Sequence, residues 1–252
     1  MRTAKPIPAS SSPEGTSYVS PAPWRWGKVE KILKVPEGRL THAVTCADKT
    51  YVLTITSEDG MNRLTRNVVT ELTNEIKTIA SAESPKPLII TGDRNFSAGA
   101  DLNEINALTG PEAHQFSALG QELMHAVASY PAPVIAAIEG HCMGGGLDLA
   151  LACHRRIAAT SAVFGHRGAA LGLITGWGGT QRLPRLIGKG RALELFIAAE
   201  KLDAQRALEI GLINALADNS VAEAKRQLAE NGETRRTQTR QQHSETCPDL
   251  LG

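Results

Sequence analysis

Three consecutive glycines, Gly144, Gly145 and Gly146, are the feature that most constrains how this chain folds. They lie inside "PVIAAIEGHCMGGGLDLALAC", residues 133–153, between an apolar run and a helical stretch. Glycine in a helix costs about 1 kcal/mol relative to alanine, so a glycine run at a helix start indicates a close approach to the backbone. The amides at a helix N-terminus are unpaired and partly positive, which favours a negatively charged neighbour.

The glycines by themselves leave two interpretations open. In one, the backbone N–H groups of Ala100, in "SAGAD", and Gly145 form a two-donor oxyanion hole for a reacting oxygen. In the other, the glycines allow tight packing of strand against helix, or hold the phosphates of a nucleotide. The dinucleotide fingerprint GxGxxG fits neither residues 140–146 nor residues 176–181, and the sequence has no GxxxxGK[ST] motif.

The pattern between about residue 39 and residue 230 predicts an α/β fold. Two β-rich runs, "THAVTC" and "YVLTIT", predict a hairpin. The apolar runs "PLIITG" and "PVIAAIEG" predict buried parallel strands. Ligands of such sheets bind beyond the carboxyl ends of the strands, where "FSAGADLNEI" and "GHCMGGGLDL" follow these two runs.

Two helices are predicted between the strands from apolar residues at helical spacing. The first lies in "TRNVVTELTNEIKTIAS" and presents these residues to the core: Val68, Val69, Leu72, Ile76 and Ile79. The second lies in "PEAHQFSALGQELMHAVASY", begins near Pro111, and presents these: Phe116, Leu119, Leu123 and Val127.

Composition excludes several function classes. The chain has 27 basic and 26 acidic residues, so no basic footprint for nucleic acid is present. No apolar run reaches membrane-spanning length, so no membrane association is expected. The four cysteines are scattered without CxxC spacing. They predict reduced thiols in a cytoplasmic protein and no metal site.

The two ends of the chain differ from the middle in composition. Residues 1–37 are rich in proline and serine and predict a disordered N-terminal extension. Residues 38–217 form the predicted core domain. Residues 218–252 form a short C-terminal tail that begins as a helix in "NSVAEAKRQLAE" and then loses its apolar pattern.

Several motifs, in order along the chain, resemble the crotonase (enoyl-CoA hydratase/isomerase) family. They are "NFSAGADLNEI", the glycine-run segment above, "ALGLITGWGGTQRLPRLIGKGRALEL" and "AAEKLDAQRALEIGLINAL". The resemblance runs from about Tyr51 to Leu216 and implies the crotonase-like ββα spiral, also called the ClpP/crotonase fold. It also implies an acyl-CoA substrate, with coenzyme A as part of the substrate and no separate cofactor. The family assembles as trimers or dimers of trimers, and an atypical tail would weaken that assembly.

The resemblance also assigns site residues. Ala100 and Gly145 match the two backbone donors that hold the thioester oxygen, and Asp148 matches a catalytic glutamate. Trp177 is expected to shape the acyl pocket, and Arg63 to meet a coenzyme A phosphate unless it is simply a solvated side chain. The implied substrate-binding residues are Asn62, Arg63, Leu64, Ala98, Asp101, Leu102, Asn103, Gly144, His166, Gly168 and Trp177.

One departure from the family pattern puts hydration in doubt. Hydratases of the family use two glutamates, and the positions here hold Asp148 and Gly168. A bound anion beside His166 or Arg167, or His166 itself, are hypotheses for the missing group. Asp148 also has a purely structural interpretation, since an acid near a helix N-terminus is favoured by the helix dipole.

Three functions remain open at this point. One-acid chemistry on an acyl-CoA, such as a double-bond shift through an enolate, fits the residues better than hydration. An acyl-CoA-binding protein with little turnover would keep the oxyanion hole without the acid pair. An acyl-CoA thioester hydrolase would need only the hole and a placed water.

Overall fold

A computed structural model describes residues 42–47 and 49–230 of the chain. The predicted extension, residues 1–37, and the end of the predicted tail, residues 231–252, lie outside the described residues. In the described part, no helix combines the length and the apolar character that a membrane crossing requires.

A six-stranded sheet forms the centre of the fold, with strand order β1-β2-β4-β6-β8-β11. Its strands are β1 (His42–Ala47), β2 (Thr50–Ile55), β4 (Leu88–Gly92), β6 (Val134–Ile138), β8 (Arg155–Ala158) and β11 (Ala215–Leu216). The first two pair antiparallel and all other neighbours are parallel. The predicted hairpin and both predicted parallel strands are therefore confirmed.

Two small sheets extend beyond the central one. Their strands are β3 (Arg63–Leu64) with β5 (Gly99–Ala100), and β7 (His141–Met143), β9 (Val163–Gly165) and β10 (Leu202–Asp203). Strands β5 and β7 each follow a central strand, so the segments predicted to bind ligand leave the sheet together. A parallel bridge between Ser97 and Cys142 links them.

Helices flank the sheet. They are α1 (Arg66–Ala80), α2 (Leu102–Asn106), α3 (Gly110–Ala128), α4 (Gly145–Ala152), α5 (Gly179–Ile187), α6 (Lys189–Ala198), α7 (Ala204–Glu209) and α8 over 220–230. A short 3-10 helix spans Gly168–Leu171. Helix α3 begins in a capping box, in which Thr109 and Glu112 satisfy each other's backbone amides, with Pro111 in the first turn as predicted.

The core lies between the sheet and the paired helices α1 and α3. All five residues predicted on α1 are buried: Val68, Val69, Leu72, Ile76 and Ile79. On α3, Phe116, Leu123 and Val127 are buried and Leu119 is half-buried. Burying such a side chain stabilises the fold by about 1.5–3 kcal/mol, so these two helices hold the scaffold on which the loops are placed.

The opposite face of the sheet is covered by α8. Ala224 and Leu228 of this helix are buried against Val52, Ile89 and Ile135. These three strand residues alternate with neighbours that face α1 and α3, as the period of a strand requires. The described beginning of the predicted tail is therefore a packed helix.

Candidate active site

A cavity of about 720 Å³ opens where the segments after β5 and β7 meet. Its walls also include the start of α3, the 3-10 segment and the apolar face of α6. Eight of the residues predicted from the sequence to form the site line it: Ala98, Ala100, Leu102, Gly144, Gly145, His166, Gly168 and Trp177. The structure thus brings together residues that lie far apart in the sequence.

The two predicted oxyanion donors lie side by side at the cavity wall. Gly145 is the first residue of α4, and no side chain among the described residues caps this helix end. A Cβ placed on Gly145 would lie 3.3 Å from the backbone nitrogen of Ala100. A Cβ on Gly99 would lie 2.9 Å from the nitrogen of Gly145. Only glycine allows the two chain segments to approach this closely.

Hydrogen bonds hold the turn before α4 in place. The Met143 amide donates to the Ser97 carbonyl at 2.9 Å, and the Gly144 amide donates to the Gly165 carbonyl at 2.9 Å. Gly144 has φ +51°, a conformation that side chains rarely adopt. The turn is therefore held by hydrogen bonds to its neighbours on both sides. These contacts fix the position of the first residue of α4.

Trp177 forms a rigid wall next to the first residue of α4. Its side chain is buried, and its ring lies 5.4 Å from the Phe116 ring, centroid to centroid. A Cβ on Gly120 would lie 2.0 Å from Trp177 Nε1, and one on Gly145 would lie 2.5 Å from Trp177 Cζ3. The indole is therefore held in a slot that two glycines leave open, one on α3 and one on α4.

Asp148 lies behind the cavity wall, outside its lining. The residue is 1% exposed, and its Oδ2 accepts a hydrogen bond from the Thr175 hydroxyl. Its Oδ1 lies 3.3 Å from His166 Nε2. Burial raises the pKa of Asp148 to about 7, although the Thr175 hydrogen bond and the charge of Arg182 oppose the rise.

His166 is the neighbour of Asp148 that reaches the cavity. Its ring is 5% exposed and lies 5.1 Å from the ring of Phe196, which is also in the lining. Burial lowers the pKa of His166 to about 4, so the ring is neutral near pH 7. The site thus contains a buried acid and a neutral imidazole in contact.

The glycine at position 168, where the resemblance implies a glutamate, is explained by its local surroundings. A Cβ there would lie 2.7 Å from the Leu173 carbonyl oxygen, which is closer than real side chains come. The Gly168 carbonyl also accepts a hydrogen bond from the Leu173 amide at 2.8 Å. The path of this loop leaves no room for a carboxylate side chain at the position.

Four of the predicted site residues around β3 and α2, which are Asn62, Leu64, Asp101 and Asn103, lie outside the cavity lining. The buried Asn62 donates to the Asn95 carbonyl at 2.6 Å, and Leu64 is fully buried in the core. Asp101 caps α2 by accepting from the amides of Asn103 and Glu104. These residues hold the β3–β5 region, and none of them lines the cavity.

Arg63 is half-exposed and also lies outside the cavity lining. It forms an ion pair with Asp59 and lies 4.0 Å from Asp101. Thr175 and Phe196 were not identified from the sequence. Thr175 meets Asp148 across 27 residues of chain, and no local pattern marks such a contact.

No group of three or more His, Cys, Asp or Glu side chains in residues 42–47 and 49–230 is arranged to hold a metal ion. The described cysteines, Cys46, Cys142 and Cys153, are free thiols. Burial raises the pKa of Cys142 well above its ordinary value, so this thiol beside the glycine turn is poorly suited to act as a nucleophile.

Solved structures with this arrangement of strands and helices include two bacterial proteins. An enoyl-CoA hydratase of Bacillus anthracis is 35% identical with a TM-score of 0.73, over 76% of this chain and 76% of that one. DspI of Pseudomonas aeruginosa is 32% identical with a TM-score of 0.75, over 81% of this chain and 84% of that one. The predicted crotonase fold is confirmed by these likenesses.

Curated relatives agree with the structural ones. A crotonyl-CoA hydratase of Syntrophomonas wolfei is 41% identical over 66% of this chain and 65% of its own length. A probable enoyl-CoA hydratase of Bacillus subtilis is 40% identical over 69% and 68%. The chain therefore spans about two thirds of the length of these relatives. The sequence model described as enoyl-CoA hydratase/isomerase matches residues 47–245, and the chain belongs to that family.

Proposed function

We propose that this protein is an enzyme that processes acyl-CoA thioesters through an enolate. The thioester carbonyl is held by the backbone amides of Ala100 and Gly145 at the cavity wall. The proposal rests on the close approach of these two segments. A Cβ placed on Gly145 would lie 3.3 Å from the Ala100 nitrogen. The names of the relatives, crotonyl-CoA hydratase and probable enoyl-CoA hydratase, support the substrate class.

The chemistry follows from where charge develops. Removing a proton from the carbon next to a thioester carbonyl places negative charge on the carbonyl oxygen. Two fixed N–H donors at that oxygen stabilise the enolate more than the ground state, because they need no reorganisation. Losing one such donor raises the barrier by about 3–4 kcal/mol.

Of the reactions open to an enolate, a double-bond shift fits this site best. Moving a double bond between two positions requires one group that takes up a proton and returns it elsewhere. Hydration requires a second acid or base for the water, and Gly168 supplies no side chain there. The buried acid–base pair of the site consists of Asp148, whose pKa is raised by burial to about 7, and the His166 ring 3.3 Å away.

One observation favours a second candidate, an acyl-CoA-binding protein with little turnover. Asp148 is 1% exposed and does not itself line the cavity. If its proton has no route to the bound thioester, the oxyanion hole would bind substrate without chemistry. In either function coenzyme A is part of the ligand, and assembly as a trimer or a dimer of trimers in the cytoplasm stays a prediction.

A product panel tests the proposal. Purified protein is incubated with crotonyl-CoA, a 3-enoyl-CoA and a saturated acyl-CoA, and products are separated by chromatography. A shifted double bond is the expected result, and Asp148→Asn is expected to lower its rate while leaving binding intact. A new hydroxyl group would show hydration, free coenzyme A would show thioester hydrolysis, and binding without product would favour the second candidate.

A further inference from the structure

We infer that His166 is a catalytic residue of this site: it exchanges the proton with the substrate, and Asp148 positions its ring from behind. The inference rests on the proposed function, since it concerns the same proton. It assigns the two residues different roles, one facing the thioester and one acting through the other.

Access to the cavity separates the two side chains. His166 lines the cavity, while Asp148 lies outside the lining. Because His166 Nε2 is 3.3 Å from Asp148 Oδ1, a proton held near the carboxyl has a direct route to the cavity through the imidazole ring. A carboxyl without its own opening can act on a substrate only through such a neighbour.

The pair is enclosed. Within residues 42–47 and 49–230, Asp148 Oδ1 and His166 Nε2 are buried and have no side-chain partner of ordinary hydrogen-bond geometry, and the Gly179 amide is the backbone group that acts on the Asp148 carboxyl. A Cβ on Gly179 would lie 2.1 Å from Oδ1 and 3.0 Å from Nε2, so only glycine at the start of α5 leaves room for both atoms. Two buried polar atoms with so few partners are costly unless they share a proton with each other.

The surroundings fix the pair and tie it to the turn before α4. The Thr175 hydroxyl donates to the second carboxyl oxygen of Asp148, which fixes that side chain. The Gly165 carbonyl accepts a hydrogen bond at 2.9 Å from the Gly144 amide, the residue before Gly145. Since His166 follows Gly165 directly, its backbone is tied to the turn that carries the oxyanion donor.

Charge favours the neutral ring as the resting base. Burial lowers the pKa of His166 to about 4, and it raises the pKa of Asp148 to about 7. The other groups that bear on the pair are Arg182, whose charge acts on Asp148, the buried Cys142 thiol, and Arg167 at the cavity wall. A neutral imidazole can accept a proton, and above about pH 7, where Asp148 is ionised, its carboxylate stabilises the imidazolium that forms.

The proton balance closes within the site. The His166 ring accepts the proton from the carbon next to the thioester carbonyl, and the C–H electron pair becomes the enolate held by Ala100 and Gly145. The imidazolium then returns the proton two carbons further along the chain. The enolate collapses, the double bond moves by one position, and His166 is neutral again.

The test is deuterium exchange at the carbon next to the carbonyl of butyryl-CoA in D₂O, followed by NMR. His166→Gln is expected to slow exchange by about 10²–10⁴-fold, the range for a lost acid–base group, with the affinity for butyryl-CoA unchanged. Asp148→Asn is expected to slow it less. His125→Gln, on the exposed surface of α3, is the matched control and is expected to exchange at the wild-type rate.

The failures of the two proposals are distinguishable. Wild-type protein that neither exchanges nor converts any acyl-CoA would overturn the proposed function. Wild-type exchange that persists within threefold in His166→Gln, or that is lost more completely in Asp148→Asn, would overturn this inference alone. If His166→Gln does not fold, the pH dependence of exchange by the wild type decides: a rate that falls only as the pH drops toward 4 supports the inference, and a rate that already falls below about pH 7 identifies the Asp148 carboxylate as the base and contradicts it.

Discussion

The two ends of α4, a helix of eight residues, differ in how their unpaired backbone groups are treated. At its N-terminus no side chain of the described residues caps the helix, and Gly144 and Gly145 line the cavity. At its C-terminus the buried Arg156 donates to the Cys153 carbonyl at 3.0 Å and to the Leu212 carbonyl at 2.8 Å. Both ends of any helix lack backbone partners, and in α4 a side chain supplies them at the C-terminus, whereas none of the described side chains does so at the N-terminus.

The contrast has an energetic side. Burial lowers the pKa of Arg156, which indicates that placing this cation in the interior is costly. Its three hydrogen bonds to carbonyl groups offset that cost, the third reaching the Ala150 carbonyl at 3.4 Å. The C-terminus is thus closed by a side chain, and the proposed function assigns the uncapped N-terminus to the substrate. Substitutions at each end separate the two roles.

The largest effect is expected from Gly145→Ala at the open end. The new Cβ would lie 2.5 Å from Trp177 Cζ3, so either the indole or the first turn of α4 must move. Displacing one oxyanion donor lowers kcat by about 10²–10³-fold. Steady-state kinetics on the product found in the panel checks this. Gly190→Ala, where an added Cβ meets open space, is the control; equal activity of both variants would contradict the account.

Arg156→Met is expected to affect stability more than chemistry. The substitution removes the donors for three buried carbonyls and lowers the free energy of unfolding by about 2–4 kcal/mol. Urea unfolding measures this change, and activity of the folded fraction is expected to stay within threefold of wild type. Arg226→Met, on an exposed arginine of α8, is the control and should change stability by less than about 0.5 kcal/mol. A reversed order of the two would refute a structural role for Arg156.

A smaller, pH-dependent effect is expected from the two buried residues Asp148 and His166. The pKa of Asp148 is raised from 3.8 to about 7, so its contribution to stability is present at low pH and is lost as pH rises through 7. The pKa of His166 is lowered from 6.5 to about 4, so its contribution is present above 6.5 and is lost as pH falls toward 4.

These opposite signs can be measured. As the pH rises from about 5 to about 7, the free energy of unfolding of Asp148→Asn is expected to increase relative to that of wild type. Over the same range, that of His166→Gln is expected to decrease relative to wild type. Each change is on the order of 2 kcal/mol. Urea unfolding at the two pH values gives both. Changes of the same sign in the two variants would contradict the opposed roles of burial.

The smallest effect is expected from Gly144→Ala. An added Cβ meets no atom within 4 Å, so the substitution costs only the backbone strain of φ +51° and ψ −118°, about 1–3 kcal/mol. Thermal unfolding should show this loss, while kcat should fall far less than in Gly145→Ala. Comparing Gly144→Ala with Gly145→Ala separates the effect of backbone strain from that of a blocked approach between chain segments. Equal losses of kcat in the two variants would contradict this distinction.

The scaffold was predictable from the sequence because its signals are local. The apolar spacing in α1 and the runs that form β4 and β6 each depend on neighbouring residues only. The meeting of Ala100 with Gly145 follows from strand order, because both segments leave the carboxyl ends of parallel strands. That step needs the α/β pattern and no side-chain detail.

Loop paths limited the prediction of the site. Asn62 and Leu64 match a substrate-contacting motif in order, yet one is bonded to the Asn95 carbonyl and the other is in the core. The nearby Leu173 carbonyl leaves no room for a side chain at Gly168. The spacing of residues along the sequence does not reveal this contact. The approach of Thr175 and His166 to Asp148 depends in the same way on how the chain returns after β9.

The central claim, that two backbone amides polarise a thioester carbonyl, is tested most directly by infrared spectroscopy of bound crotonyl-CoA carrying ¹³C at that carbonyl. The C=O stretch is expected to move to lower frequency when crotonyl-CoA binds to the wild-type protein. The shift is expected to be much smaller in Gly145→Ala at a ligand concentration that fills the site. A bound frequency equal to that in water, or a shift that Gly145→Ala leaves unchanged, would contradict the claim.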